Sequence, residues 1–240
     1  MSRNTHLQDR AIFEISGVDR KKFLQGLITN DINKLAPNQL LYSAMLNPQG
    51  RFLYDFFIFE IGETIFIDCL KLRVDEIIKK LNFYKLRLHV VIKKNEELVV
   101  SWSSEKSEFA LKDPRNINLG YRSYQKNIEF NGDDASYHLT RIQNQVAESE
   151  YDLTYEKSII LEFGFDDLNA IDYNKGCYIG QELTARTHHL GQVRKKVLYV
   201  KLSQKLEKNT EITCEDQMTA IVLSSVVYDN EVHALILKRI

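Results

Sequence analysis

The turn Asn47-Pro48-Gln49-Gly50 constrains this chain most strongly, because proline at its second position pre-sets the backbone for a reversal. It separates an extended stretch, Leu41 to Leu46, from Phe52 to Ile61, a run dense in aromatic and β-branched residues, so the two read as a β-hairpin. A further strand, Thr64 to Leu70, precedes a helix carrying Val74, Ile77, Ile78 and Leu81 on one face. Leu86 to Lys93 and Glu97 to Trp102 then read as extended. Upstream, Ser16-Gly17-Val18-Asp19 starts a helix in which Phe23, Leu24, Leu27 and Ile28 recur at helical spacing. It ends near Asn30 and Asp31, whose expected role is to cap it. Strands and helices follow one another in an α+β order.

A chain of 240 residues suits two or three modules. We place an N-terminal α+β part at 1–98, a second α+β part at 99–190, and a small all-β module at 191–240. The second part is interrupted by Asp113-Pro114-Arg115 and contains a helix-like stretch, Asp133 to Ala147, with Ala135, Leu139, Ile142 and Val146 aligned. The last part holds four short strands, Val193 to Leu202, Glu211 to Cys214, Ala220 to Tyr228 and Val232 to Leu237, and is too small to be an enzyme by itself.

The densest chemistry lies in Lys175-Gly176-Cys177-Tyr178-Ile179-Gly180-Gln181-Glu182, closed by Arg186. Gly176 and Gly180 permit tight or positive-φ backbone beside the sulfur, and Glu182 and Arg186 stand four residues apart, the spacing that pairs them along a helix. The local expectation is a cysteine at a turn that runs into a helix. A thiol so placed, close to Lys175, is more readily deprotonated, and the thiolate is the form that attacks or binds metal. The competing reading makes Cys177 a small buried hydrophobe and the glycines mere connection.

Other classes of function find less support. The formal charge of −1 and pI near 6.6 lack the basic excess of a dedicated nucleic-acid binder, so no direct nucleic-acid partner is expected. Arg194-Lys195-Lys196 can touch phosphates, but three charges at a strand start usually form a solvated edge. Three widely spaced cysteines do not form a disulfide framework, which suits a reducing compartment. No stretch approaches the roughly 18 apolar residues that cross a bilayer, and the N-terminus has no apolar signal core, so neither secretion nor a membrane partner is expected. His188 and His189 are adjacent, so on one helix they point about 100° apart, and no permanent metal site is expected. Phosphate-binding, dinucleotide-binding and Cys-x-x-Cys redox motifs are absent.

The run from Lys175 to Glu182, with Arg186, resembles the KGCYxGQE signature of the folate-binding iron-sulfur cluster assembly and repair proteins, relatives of the glycine-cleavage aminomethyltransferase. Ser16-Gly17-Val18-Asp19, Phe23-Leu24-Gln25-Gly26, Thr29-Asn30-Asp31, Leu46 to Arg51 and Tyr84-Lys85-Leu86-Arg87 are similar to further segments of that family. The stretch from about 103 to 155 resembles it least. In the aminomethyltransferases the motif resembles Lys-Gly-Asp-Phe-Ile-Gly-Lys-Glu, so cysteine here replaces an acid. Those enzymes also carry two adjacent aspartates after the turn, where this chain reads Tyr54-Asp55. The missing acid pair argues against methylene transfer, and Leu53-Tyr54-Asp55 resembles the mitochondrial cluster-assembly branch.

The resemblance implies an aminomethyltransferase-like, folate-binding α+β fold with a small C-terminal β-barrel-like module. It implies tetrahydrofolate or another reduced folate as cofactor, and support of iron-sulfur cluster assembly or repair, especially of [4Fe-4S] clusters, with an indirect role in tRNA modification. Iron-sulfur assembly proteins and client enzymes would be its partners, in a bacterial cytoplasm or a mitochondrial matrix. Leu161-Glu162-Phe163-Gly164 is similar to a stretch that supplies a carboxylate to the pterin, whose ring N–H and exocyclic amine are two donors that one carboxylate accepts together. Arg51, Arg87, Lys175 and Arg186, the basic residues of matched segments, would meet the anionic tail. Each has an ordinary structural alternative, such as pairing of Arg186 with Glu182. Two further readings stand beside this one: a folate-dependent one-carbon transferase with Asp55 as its remaining acid, and a non-catalytic docking module.

Overall fold

The computed structural model describes residues 4–126, 129–191 and 193–240. The N-terminal half runs β1 (Asn4–His6), β2 (Arg10–Ser16), α1 (Arg20–Gln25), β3 (Leu41–Leu46), β4 (Phe52–Ile61), β5 (Thr64–Leu70), α2 (Val74–Tyr84) and β6 (Val91–Asn95). There follow β7 (Val99–Ser103), β8 (Ala110–Lys112), β9 (Tyr121–Gln125), α3 (Asp134–Gln143), α4 (Ser149–Asp152) and α5 (Gln181–His189). The chain closes with β10 (Lys195–Leu202), β11 (Glu211–Thr213), β12 (Thr219–Tyr228) and β13 (Glu231–Arg239). These strands form three sheets, in the orders β3-β4-β5-β2-β6, β1-β7-β9-β8 and β10-β13-β12-β11.

The expected hairpin forms, with Leu41 opposite Ile58 and Ala44 opposite Asp55. Every residue from Phe52 to Phe59 is buried, without the alternation of a half-exposed strand, because the five-stranded sheet is covered on both faces. Phe56 and Ile58 pack with Phe23, Leu24, Ile77 and Leu81 of the two helices on one face. Phe57 and Phe59 pack on the other with Val100, Trp102 and Tyr137. Each such side chain contributes about 1.5–3 kcal/mol of burial, so this one strand anchors both layers.

Between the first two sheets lies a buried ionic layer. Arg10 donates to Asp68 at 2.7 Å and Arg122 donates to the other oxygen of Asp68 at 3.1 Å. Arg115 is held by Asp113 at 2.7 Å and by Glu148 at 2.6 Å, and Arg122 stacks 3.8 Å from the Phe57 ring centre. Charges so far from water persist only when paired and hydrogen-bonded. Burial pushes the Glu148 carboxyl up, but Arg115, Arg122 and Arg10 together hold it well below the ordinary carboxylate range. The Asp113-Pro114-Arg115 interruption thus supplies both partners of a buried ion pair.

Several local expectations shift. The first helix is only six residues long, and Leu27 and Ile28 follow it in a turn while staying in the core. Asp31 caps not that helix but the next 3-10 turn, Ile32–Lys34, accepting from the Asn33 N–H at 3.0 Å. Asn30 is buried, donating to the carbonyls of Tyr42 and Asn169. The strand expected from Leu86 begins only at Val91, because Leu86 adopts a left-handed backbone, φ 45°. The helix expected over 133–147 stops at Gln143 and buries Tyr137, Arg141 and Ile142, not Ala135 and Leu139. Gln145 takes φ 58°, which breaks the helix and carries Val146 and Ala147 into the core separately.

The C-terminal sheet curls into a half-barrel, bent by a bulge between Val222 and Ser224 of β12. Leu223, Leu235 and Leu237 on one face join the main core, whereas Ala220, Val222 and Ile236 close a small core with Leu198, Val200 and Leu202. Arg141 ties this sheet to α4, donating to Asp152 at 2.7 Å and to Ser224 at 3.1 Å.

Candidate functional site

Cys177 is exposed, on a loop fixed on both sides. Before it, Lys175 turns inward at 7 % exposure, and its ammonium donates to the carbonyls of Gln25, Ile28 and Asn30, each at 2.7 Å. After it, Tyr178 enters the core, and the Ile179 N–H donates to the Gly26 carbonyl at 3.2 Å. Gly180 then starts α5 with φ 83°, and a Cβ there would lie 2.5 Å from the Asn47 carbonyl oxygen. Reciprocally, a Cβ on Gly50, φ 71°, would lie 2.6 Å from the Leu183 Cβ. The motif and the hairpin turn are therefore one packed unit, permitted by two left-handed glycines. Gly176 has open space around it and serves no such contact.

The helix that follows matches its expected side-chain pairing: Arg186 donates to Glu182 on the solvent face. Gln181 opens the same helix. His188 stacks on Tyr173 with ring centres 3.9 Å apart. Among the described residues no group of three or more His, Cys, Asp or Glu side chains is arranged to hold a metal ion.

Glu162 lies elsewhere, in the 3-10 turn Ile160–Phe163, on the wall of a cleft of about 460 Å³ between that turn and β10. Its carboxylate is 16 % exposed, and its nearest cation is the Lys195 ammonium at 3.7 Å. Asp166 and Asp167 line the same side, while Lys195 and Lys196 line the other and Leu161, Phe163 and Val197 supply apolar surface. Arg115 reaches the cleft but is committed to Asp113 and Glu148.

The four expected tail-binding cations are not brought together there. Arg51 donates to the Lys157 carbonyl at 3.1 Å, Lys175 is engaged with three carbonyls, Arg186 with Glu182, and Arg87 is exposed beyond the end of α2. None of them, nor Cys177, lines the Glu162 cleft. Asp55 is sealed inside, accepting from Tyr42 Oη at 2.6 Å and Ser149 Oγ at 2.7 Å, with burial pushing its carboxyl up. The cations that do face Glu162 belong to Arg194-Lys195-Lys196, a run whose sequence gives no sign of the turn it will pack beside.

The whole chain superposes on the glycine cleavage system aminomethyltransferase T from Bartonella henselae with a TM-score of 0.78, covering 99% of this chain and 78% of that one at 10% identity. At that identity the likeness is one of fold. Residues 7–114 match the GCVT N-terminal domain family. The iron-sulfur cluster assembly factor IBA57 homolog, mitochondrial, of Pyricularia oryzae is 34% identical over 221 residues, 81% of this chain and 56% of the relative. The mouse iron-sulfur cluster assembly factor IBA57, mitochondrial, is 32% identical over 82% of this chain and 65% of its own length. By sequence the chain is related to these cluster assembly factors, and by fold to the aminomethyltransferases. It spans about half to two thirds of the length of these relatives. Within this fold, the exposed cysteine and the Glu162 cleft are separate features.

Proposed function

We propose that this protein binds a reduced folate, tetrahydrofolate first among them, and supports the assembly or repair of iron-sulfur clusters, especially [4Fe-4S], in client proteins. Its relatives' names supply the process, and one observation carries the chemistry: a solvent-facing Cys177 on a loop immobilised by Lys175 and Tyr178. A thiol presented this way is available to a partner without reorganisation of the chain. One thiolate cannot complete the ligand set of a cluster, which takes four cysteines or their equivalents, so a cluster in transit here would be shared with assembly proteins or clients. An indirect effect on tRNA modification would follow through cluster-dependent modifying enzymes. The relatives' mitochondrial designation supports a matrix location for a eukaryotic chain, and the bacterial cytoplasm is its counterpart.

The Glu162 cleft suits a pterin. Its volume falls within the usual range of small-molecule sites, and the Glu162 carboxylate accepts no hydrogen bond from the described residues, leaving both oxygens for a ring N–H and the adjacent exocyclic amine. Glu162 would orient the pterin, with Leu161 and Phe163 flanking it. The transferase reading is the weaker one, because Asp55 lies buried between Tyr42 and Ser149 and lines no part of this cleft.

The test is the activity of a [4Fe-4S] enzyme, normalised to its abundance, in cells lacking this protein and resupplied with equal amounts of wild type, Cys177→Ala or Glu162→Gln. Wild type should restore activity and Cys177→Ala should not. Full rescue by Cys177→Ala removes the thiol from the mechanism, and no rescue by wild type defeats the cluster-assembly reading. If partner association survives in a Glu162→Gln protein that no longer binds folate, the docking reading gains.

A further inference from the structure

Five strongly exposed apolar side chains, Val18, Ile61, Phe83, Leu86 and Val91, converge on one end of the five-stranded sheet. The strand register brings them there. Ile61 stands at the turn joining β4 to β5, Val18 lies in the turn that leaves β2, and Val91 opens β6 opposite Ser16, the last residue of β2. The segment from the end of α2 to β6 carries Phe83 and Leu86 and is tied to the Val18 turn. The His89 N–H donates to Asp19 at 2.8 Å, and a Cβ on Gly17 would collide with the His89 carbonyl oxygen. Cations rim this end of the sheet. Arg20 and Lys21 share the single carboxylate of Glu60, at 3.2 and 2.8 Å, and the Lys85 ammonium donates to the Val90 carbonyl. The exposed Lys22 and Arg87 have no ion-pair partner among the described residues. With Asp19, Glu60 and Glu63 as its carboxylates, the rim is net positive.

Clustered exposed apolar side chains mark a surface that meets something other than water. At 58–84 % exposure these five protrude, and none lines a major cavity, so the surface offers no pocket for the anchoring side chain of a protein partner. Lys93 and Lys94 charge the open edge of β6, which opposes pairing with a partner's strand. Separate apolar tips ringed by cations instead match a membrane interface, where such tips sink into the headgroup boundary and basic groups meet lipid phosphates. We infer that this end of the sheet seats the protein on an anionic phospholipid surface, with Val18, Phe83 and Leu86 as the inserted tips and Lys22 and Arg87 as phosphate partners. The expectation of no membrane partner rests on the want of a spanning segment, and among the described residues no helix is long and apolar enough to cross a bilayer. Seating on the surface needs none. The Cys177 loop packs on the hairpin turn at the other end of β4, a strand of 10 residues and so about 30 Å away, and it stays open to partners. The inference rests on neither the folate reading nor the cluster reading.

Co-sedimentation of the purified full chain at low salt, with vesicles of phosphatidylcholine alone or mixed equally with phosphatidylglycerol, tests it. Anionic vesicles should bind the protein about tenfold more tightly than neutral ones, and high salt should erase most of that difference. The double variants Phe83→Ser/Leu86→Ser and Lys22→Gln/Arg87→Gln should each weaken binding to anionic vesicles about tenfold, the first by lost apolar burial and the second by lost charge. Ile117→Ser, which alters a side chain as exposed as Phe83 in the turn between β8 and β9, should leave it unchanged. Urea midpoints matching wild type establish that the variants fold. Absence of binding to anionic vesicles overturns the membrane contact and returns the patch to a protein partner; equal binding to both kinds of vesicle overturns it as well. Binding that survives Phe83→Ser/Leu86→Ser but not Lys22→Gln/Arg87→Gln also overturns it, as attraction of charge without insertion.

Discussion

Replacing Lys175 by methionine keeps the apolar stem and removes the ammonium that joins the cysteine loop to the turn after α1. Its three acceptors, the carbonyls of Gln25, Ile28 and Asn30, would each lose a 2.7 Å charged hydrogen bond in a buried site. An orphaned buried polar group costs about 1–3 kcal/mol, so three cost roughly 6 kcal/mol at mid-range. Against this, burial pulls the ammonium from 10.5 down to about 8, so relief from holding the charge there offsets at most about 3 kcal/mol. The expected net loss is about 3 kcal/mol, read as a lower urea midpoint with unchanged m-value, or a fall of about 6–12 °C in Tm. The pH dependence supplies a second check. A lysine with a depressed folded-state pKa binds fewer protons folded than unfolded between about 8 and 10.5, so wild-type stability gains a rising contribution across that window. Lys175→Met should lack it. Stability of the variant within about 0.5 kcal/mol of wild type, the range of ordinary surface substitutions, would refute the reasoning, since it would mean water satisfies the three carbonyls.

Two further outcomes follow from the same frame. Gly180→Ala forces a left-handed alanine whose Cβ meets the Asn47 carbonyl oxygen at 2.5 Å, and should cost about 3 kcal/mol or more, whereas Gly176→Ala, with open space around it, should stay within about 0.5 kcal/mol in the same denaturation assay. His138 is pulled by burial and by Arg141 to about 4 from 6.5, and its Nδ1 accepts from Arg141 Nε at 3.0 Å. Because the unfolded chain protonates this ring first, its neutral burial is stabilising only above about pH 6.5; up to about 3 kcal/mol should be lost as pH falls toward 4, and His138→Gln should flatten that part of the stability profile.

Much of the frame was legible because it follows from local rules. A proline-set turn between two apolar runs reads as a hairpin, and the Asn47-Pro48-Gln49-Gly50 turn makes one. A Glu and Arg four apart on a helix read as a surface pair, and Glu182 and Arg186 form one. Boundaries moved where single backbone positions overrode periodicity, as at Gln145 and Leu86 with their positive φ. The matched motifs point to Lys175 as a tail-binding cation, yet Lys175 turns inward to backbone carbonyls and Lys195 turns toward Glu162, because a flexible charged side chain goes wherever the fold supplies its acceptors.

The sequence alone determined the strand and turn grammar of the N-terminal sheet and the singular Cys177 motif, since each depends on backbone conformation and side-chain type within a few residues, whereas the need for glycine at 50 and 180 comes from the packing of the hairpin turn on that motif. Only the tertiary structure decided where the charges went. Arg122 meets Asp68 across 54 residues of chain and Lys175 meets the Ile28 carbonyl across 147, and the energy of a charge depends on burial and partners that no local window contains. The same dependence turns Arg194-Lys195-Lys196, a solvated edge when read along the chain, into the basic wall of the Glu162 cleft.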